Sequence, residues 1–226
     1  MAFFLLGATA LAALMDFAVG ALIAFTIERA TGMPGGLLDY FVGGVLGLLP
    51  DIDIFYLYAV WWFKKSIRSF NHHQFITHRP IVMIPTATII GFLVGGFPWA
   101  QIAGLCVFWH LLHDSKGFLG GGIAWFWPFS HDYISVWPPF RHENSKKNSS
   151  MSDDDNKHRS WLIQTYLQPN RPFAIELSIA FAALAIIITL HFHLPFISGF
   201  LFFCLCWGLV TIFQNAAKSY MNILSR

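Results

Sequence analysis

The chain has 226 residues, of which 56% are hydrophobic and only 12% charged, with a formal net charge of +2. Soluble domains carry about 25% charged residues, so a soluble globular fold is excluded, and so small a net charge leaves no basic surface for nucleic acid. The 24 Phe and 9 Trp suit a bilayer interior and its interfaces.

A spanning helix needs about 20 apolar residues. Residues 3–27 form the first such run, interrupted only by Asp16. The small residues Ala8-Thr9-Ala10 hint at a cleavage site, but no basic residue precedes the run and it is too long for a cleaved signal. A retained helix is predicted. Residues 37–63 are apolar but broken by Pro50-Asp51-Ile52-Asp53, leaving halves of about 13 and 10 residues. Halves that short predict a re-entrant or broken helix turning at the Asp-x-Asp pair, covered by protein or facing a wet cavity. A sixth crossing is the alternative. Residues 80–97 and 99–112 form a helical hairpin around Pro98, and residues 173–190 and 196–213 form two more helices around a short turn ending at Pro195.

Two polar segments flank the hairpin. Residues 64–79 carry Lys64, Lys65, Arg68 and Arg79, and residues 115–171 are basic with a Ser, Asn, Asp and Lys-rich middle. One helical hairpin joins these segments, so they share a membrane side. The positive-inside rule puts them, with Lys218 and Arg226 of the tail, in the cytoplasm. Trp125 to Trp137 reads as an aromatic belt at the interface. The prediction is an all-α integral membrane protein with about five transmembrane helices plus the re-entrant element. Residues 1–140 form a membrane domain, 141–172 a mobile polar cytoplasmic loop, and 173–226 two further transmembrane helices with a short tail. Cys106, Cys204 and Cys206 lie inside apolar runs without zinc or disulfide spacing.

Three clusters carry chemistry. Asp51 and Asp53 sit at the break; in an extended turn they point the same way and repel unless a cation or proton lies between them. His73 and His78 are five apart, which does not share one helical face, although a loop or a distorted turn can converge them. His110 and Asp114 are four apart on one helical stripe, and His113 lies beside them as a ligand or support. Asp16 either packs against a neighbouring helix or faces the same cavity. Ionisable groups at membrane depth are costly and mark function. The hairpin puts the last two clusters on one face, and a re-entrant element brings the Asp pair to them. Asp51, Asp53, His73, His78, His110 and Asp114 are therefore the candidate ligands of one or two divalent ions, zinc first, manganese or iron as the other candidates.

The string Leu48-Leu49-Pro50-Asp51-Ile52-Asp53, then His73-x-x-x-Thr77-His78, then His110-Leu111-Leu112-His113-Asp114 followed by Gly120–Gly122 and Trp127-Pro128-Phe129, resembles the YdjM-like family over about residues 15–140. That resemblance implies a prokaryotic inner-membrane protein of a group assigned as metal-dependent hydrolases, with its polar positions on the same six residues. Arg79 stands here where the family usually has Ser, and the family's N-terminal Thr-His is missing after Met15-Asp16. The expected activity is hydrolysis of a phosphoester or ester of a lipid or other amphiphile at the cytoplasmic face. Asp53 or His78 is the expected general base. The competing readings are an ion transporter and a non-catalytic metal-binding membrane protein.

Overall fold

The computed structural model describes residues 2–53, 73, 75–115, 122–135 and 171–224. Among them are five helices and no strand: α1 (Ala2–Thr31), α2 (Leu37–Gly47), α3 (Pro80–Asp114), α4 (Arg171–His191) and α5 (Phe196–Leu224). Three stretches among the described residues are long and apolar enough to cross a membrane, Pro80–Asp114, Phe173–His191 and Phe196–Ser219. The predicted second half of the 37–63 element, the basic stretch 64–72 and the polar loop 141–170 lie outside the described residues. The chain forms two compact units, residues 19–151 and residues 1–18 with 152–226.

In the first unit, the end of α1 and the start of α2 run antiparallel at very close range. A Cβ on Gly20 would lie 2.4 Å from the Gly43 carbonyl oxygen. Only glycine at both positions allows the backbones to meet there. Further along, the Tyr40 hydroxyl donates to Glu28 Oε1 at 3.0 Å, giving a buried carboxylate the partner that burial demands. Pro50 lacks the N–H that would continue α2. The chain tightens into a 3-10 turn at Leu49–Asp51 and then continues helically at Ile52 (φ −59°, ψ −25°). The extended Asp-x-Asp turn expected above is therefore replaced by a helical one.

The predicted hairpin is present. α3 is interrupted by non-helical backbone at Gly95 and Gly96. Gly96 has φ +71°, a conformation that side chains strongly disfavour. The chain folds back there. A Cβ on Gly91 would meet the Trp99 carbonyl oxygen at 2.4 Å, and one on Gly104 would meet Thr88 Oγ1 at 2.5 Å. Small residues thus let the limbs 80–94 and 97–114 pack backbone to backbone. Ala87, Ala103, Val107, Leu111 and Ile123 form the core between them, flanked by Leu46, Leu49 and Trp125. Both hairpin ends, Arg79 and Ser115, consequently lie at the same end of this unit. Residues 122–135 close over that end. Ile123 and Ile134 exchange backbone hydrogen bonds, Trp125 Nε1 donates to Ser115 Oγ at 2.8 Å, and the Arg79 guanidinium lies over the Trp127 and Tyr133 rings.

In the second unit, α4 and α5 form an antiparallel pair whose turn contains His193 with φ +51°. Phe173, Leu177, Phe181 and Val210 are its buried core, with Leu11 and Leu14 of α1 packed against it.

Candidate metal centre

The site lies where the end of α2, the turn before α3 and the end of α3 meet. Each element brings its residue for a local reason. The 3-10 turn forced by Pro50 carries Asp51. A second 3-10 turn, Ile76–His78, precedes Pro80 at the first turn of α3, and it buries His78. The last turn of α3 carries His110 and Asp114 on one stripe.

Four ligand atoms, one each from Asp51, His78, His110 and Asp114, lie within 4.8 Å of one another. His78 Nε2 is 3.3 Å from Asp114 Oδ2 and 3.6 Å from Asp51 Oδ1. His110 Nε2 is 3.1 Å from Asp114 Oδ2 and 3.5 Å from Asp51 Oδ1. Bonds of about 2.0–2.1 Å in a tetrahedral zinc site place neighbouring ligand atoms about 3.3–3.4 Å apart. The four measured edges bracket that value. Two imidazole nitrogens and two carboxylate oxygens are also a donor set suited to zinc and to manganese or iron. The side chains of His78 and His110 are 0% and 1% exposed, while those of Asp51 and Asp114 are 27% and 18% exposed. The imidazoles form the floor and the carboxylates the mouth.

The ring nitrogens that face away from this point are also held. His110 Nδ1 lies 2.7 Å from the Gly47 carbonyl oxygen. A carbonyl only accepts, so Nδ1 carries the proton and Nε2 is left to face the carboxylates. His78 Nδ1 lies 3.2 Å from Asp53 Oδ2 and 3.2 Å from Thr77 Oγ1. The Thr77 hydroxyl donates to the same Asp53 oxygen at 2.7 Å.

Of the six residues expected to converge, the structure brings all into one cluster but places two of them at its edge. Asp53 is buried on the Nδ1 side of His78, opposite Asp51. Along a helical turn, residues two apart point to different sides, which an extended turn would not produce. His73 stacks on His78 with ring centroids 5.2 Å apart, and its Nε2 lies 3.6 Å from Asp114 Oδ2. His113 stacks on Trp109. Asp16 is buried in α1, and His131 and Asp132 are exposed on the covering segment. Thr77, the Gly47 carbonyl and the Gly122 backbone, which accepts a hydrogen bond from His73, are the contributors that sequence reasoning missed. Thr77 had a signal, its place directly before His78; the two glycines act through backbone and have none.

Burial pushes His73 below its usual pKa against the pull of Asp114 and so favours the uncharged ring. Burial also opposes charge on His78, but the hydrogen bonds it donates to Asp114, Asp51 and Asp53 outweigh it and push its pKa up to about 10.

The family model described as YdjM inner membrane protein matches residues 11–196. No curated protein and no solved structure matches the chain.

Proposed function

The chain belongs to the YdjM inner membrane protein family, and we propose that it is a membrane-bound metal-dependent hydrolase acting on a phosphoester or ester of a lipid-like molecule. The observation that carries this reading is the convergence of two buried imidazole nitrogens and two carboxylate oxygens within 4.8 Å at a partly open mouth. Asp51, His78, His110 and Asp114 would hold the ion, zinc first, with manganese or iron as the other candidates. A divalent ion in such a site supplies Lewis acidity and lowers the pKa of water.

The remaining roles fall to the protein. In this proposal the base is His73 rather than Asp53 or His78. Its Nε2 faces Asp114 from outside the four-residue group, and burial favours its uncharged ring, which is able to take a proton. His78 is occupied as a ligand, and Asp53 lies behind it. Ile52 and Ile76, each 53% exposed beside the site, and the exposed Phe126 and Phe129 offer an apolar rim for acyl chains. Lys64, Lys65 and Arg68 would attract an anionic head group.

The topology proposed is five crossings, namely α1, the two limbs of α3, α4 and α5. α2 and its 3-10 turn are the re-entrant element. Eleven residues of α2 rise only about 16 Å, which is half of a bilayer core of about 30 Å. The Lys and Arg residues of the sequence segments flanking the hairpin support a site at the cytoplasmic face.

Elemental analysis of the detergent-purified protein tests the first half of this reading, with about one equivalent of metal expected in the wild type and little in Asp51→Ala/His110→Ala. Metal absent from the wild type would overturn it. Hydrolysis of lipid and soluble phosphoesters and esters by the loaded protein tests the second half. Bound metal with no turnover on such a panel, but ion flux into proteoliposomes, would replace the enzyme reading by a transporter.

A further inference from the structure

Both histidines of the proposed site show the same design. Each ring has an acceptor at Nδ1, so each is left to present Nε2 to the carboxylates. For His110 the acceptor is a main-chain carbonyl, that of Gly47. For His78 it is a side-chain pair, Asp53 supported by Thr77. Thr77 Oγ1 donates to Asp53 Oδ2 at 2.7 Å, and His78 Nδ1 lies 3.2 Å from each of these two oxygens. An ionised carboxylate only accepts, and the threonine hydrogen is committed to it. The Nδ1 proton therefore points at two acceptors and cannot move to the other nitrogen without losing both.

Asp53 is also the wrong distance of chain from Asp51 to join it. The segment is helical from Leu49 to Asp53, so two residues of separation carry the two carboxylates to opposite edges of the His78 ring. Asp51 Oδ1 is at Nε2 and Asp53 Oδ2 at Nδ1. Asp53 is also almost fully buried, with its side chain 3% exposed against 27% for Asp51. It is sealed behind the imidazole rather than open at the mouth.

Building on the metal-binding part of the reading above, we propose that Thr77 and Asp53 are positioning residues, a hydroxyl–carboxylate pair that fixes the proton and ring orientation of His78 so that its Nε2 meets the metal. Asp53 is thereby not a ligand. Outer partners of this kind orient the ring, raise its basicity and are worth about 10–100-fold in metal affinity. The pair has a hierarchy: Asp53 touches the ring's proton, and Thr77 acts largely by holding Asp53 in line.

Cobalt(II) binding to the full-length protein in detergent tests this by affinity and by visible absorption together. Asp53→Asn and Asp53→Ala should weaken cobalt binding about 10–100-fold, while the ligand-field bands at saturation keep the wild-type energy and intensity. Thr77→Val should weaken binding less than Asp53→Ala, and Thr77→Ser, which restores the hydroxyl, should recover wild-type affinity. His110→Gln, which alters a ligand, should change the bands. A changed spectrum in Asp53→Asn would make Asp53 a ligand and overturn the proposal. So would wild-type affinity in Thr77→Val and Asp53→Asn together. Should the wild type itself bind no cobalt, zinc or manganese, the metal-site reading fails and this inference with it. Normal wild-type binding with insensitive Thr77 and Asp53 variants sinks the inference alone.

Discussion

His110 Nδ1 sits 2.7 Å from the carbonyl oxygen of Gly47, so one imidazole closes the C-terminal end of α2 with one nitrogen and faces Asp51 and Asp114 with the other. The last carbonyls of a helix lack partners within it. Replacing His110 by Ala should therefore act twice. It strands a buried carbonyl, costing about 1–3 kcal/mol, and it removes a ligand. Thermal unfolding of the metal-free variant should fall by several degrees, and zinc affinity should fall at least 100-fold. His110→Asn, able to donate but not to reach the site, should recover part of the stability and none of the affinity.

Metal binding should release a proton from His78. Its folded-state pKa of about 10 lies above the unfolded value of about 6.5. Protonated His78 therefore stabilises the metal-free fold fully below about pH 6.5, and that contribution is lost as pH rises through about 10. An ion must displace the proton on Nε2, so between pH 7 and 9 apparent affinity should rise about tenfold per pH unit. Calorimetric titration at pH 7.5 in two buffers of different ionisation enthalpy should count one proton released per ion. A count of zero would place His78 outside the ligand set.

Some of this architecture was legible in the sequence and some was not, for definable reasons. The helices of α1, α3, α4 and α5 follow from apolar runs that only a bilayer or a large core can hide. His110 and Asp114 followed from spacing alone, because four residues is nearly one helical turn. His73 and His78 did not, because the 3-10 turn at Ile76–His78 has no periodic signature; only the meeting of their rings reveals it. An extended turn puts Asp51 and Asp53 on a shared side, whereas the helical turn faces them opposite ways. A proline followed by Asp-x-Asp fits an extended turn and a helical one equally well, and the fold selects the helical one. The backbone partners at Gly47 and Gly122 carry no side chain to read.

The hairpin depends on two glycines for different reasons. At Gly96 the backbone has φ +71° and ψ −158° with nothing near the missing Cβ, so Gly96→Ala should cost only the strain of that nearly glycine-only conformation, about 1–3 kcal/mol. At Gly91 the angle is ordinary, but a Cβ would lie 2.4 Å from the Trp99 carbonyl oxygen. Gly91→Ala must push the limbs apart, opening the Ala87–Ala103–Val107 core below His110. Thermal melts should show both variants destabilised, and only Gly91→Ala should also lose metal affinity. The same affinity loss in Gly96→Ala would mean that the turn, rather than the limb contact, sets the site.

Arg79 ties the covering segment to the hairpin. Its guanidinium lies 5.9 Å from the Trp127 ring and 5.5 Å from the Tyr133 ring, and it donates to the Tyr133 hydroxyl at 3.3 Å. Cation–π contacts of this kind contribute about 0.5–2 kcal/mol. Arg79→Ser should leave the four-residue group in place but loosen residues 122–135. Hydrogen exchange should accelerate in that segment, at the Ile123 and Ile134 amides above all, and stay unchanged in the limbs of α3. Uniform acceleration would show that Arg79 supports the whole unit instead.

His73 gives the sharpest separation of binding from chemistry. It faces Asp114 from outside the four-residue group, and burial holds its pKa below the usual value. As a base it must be neutral, so turnover should fall as pH drops through that lowered pKa and stay level above it. His73→Gln keeps the ring's approximate volume and a polar edge but cannot take a proton. It should keep its zinc stoichiometry while kcat drops about 100- to 10,000-fold, the usual worth of a positioned base, and the acid limb of the pH profile should disappear. Loss of zinc together with activity would instead make His73 a ligand. Unchanged kcat with zinc bound would pass the proton-accepting role from His73 to one of the carboxylates at the mouth, Asp51 or Asp114.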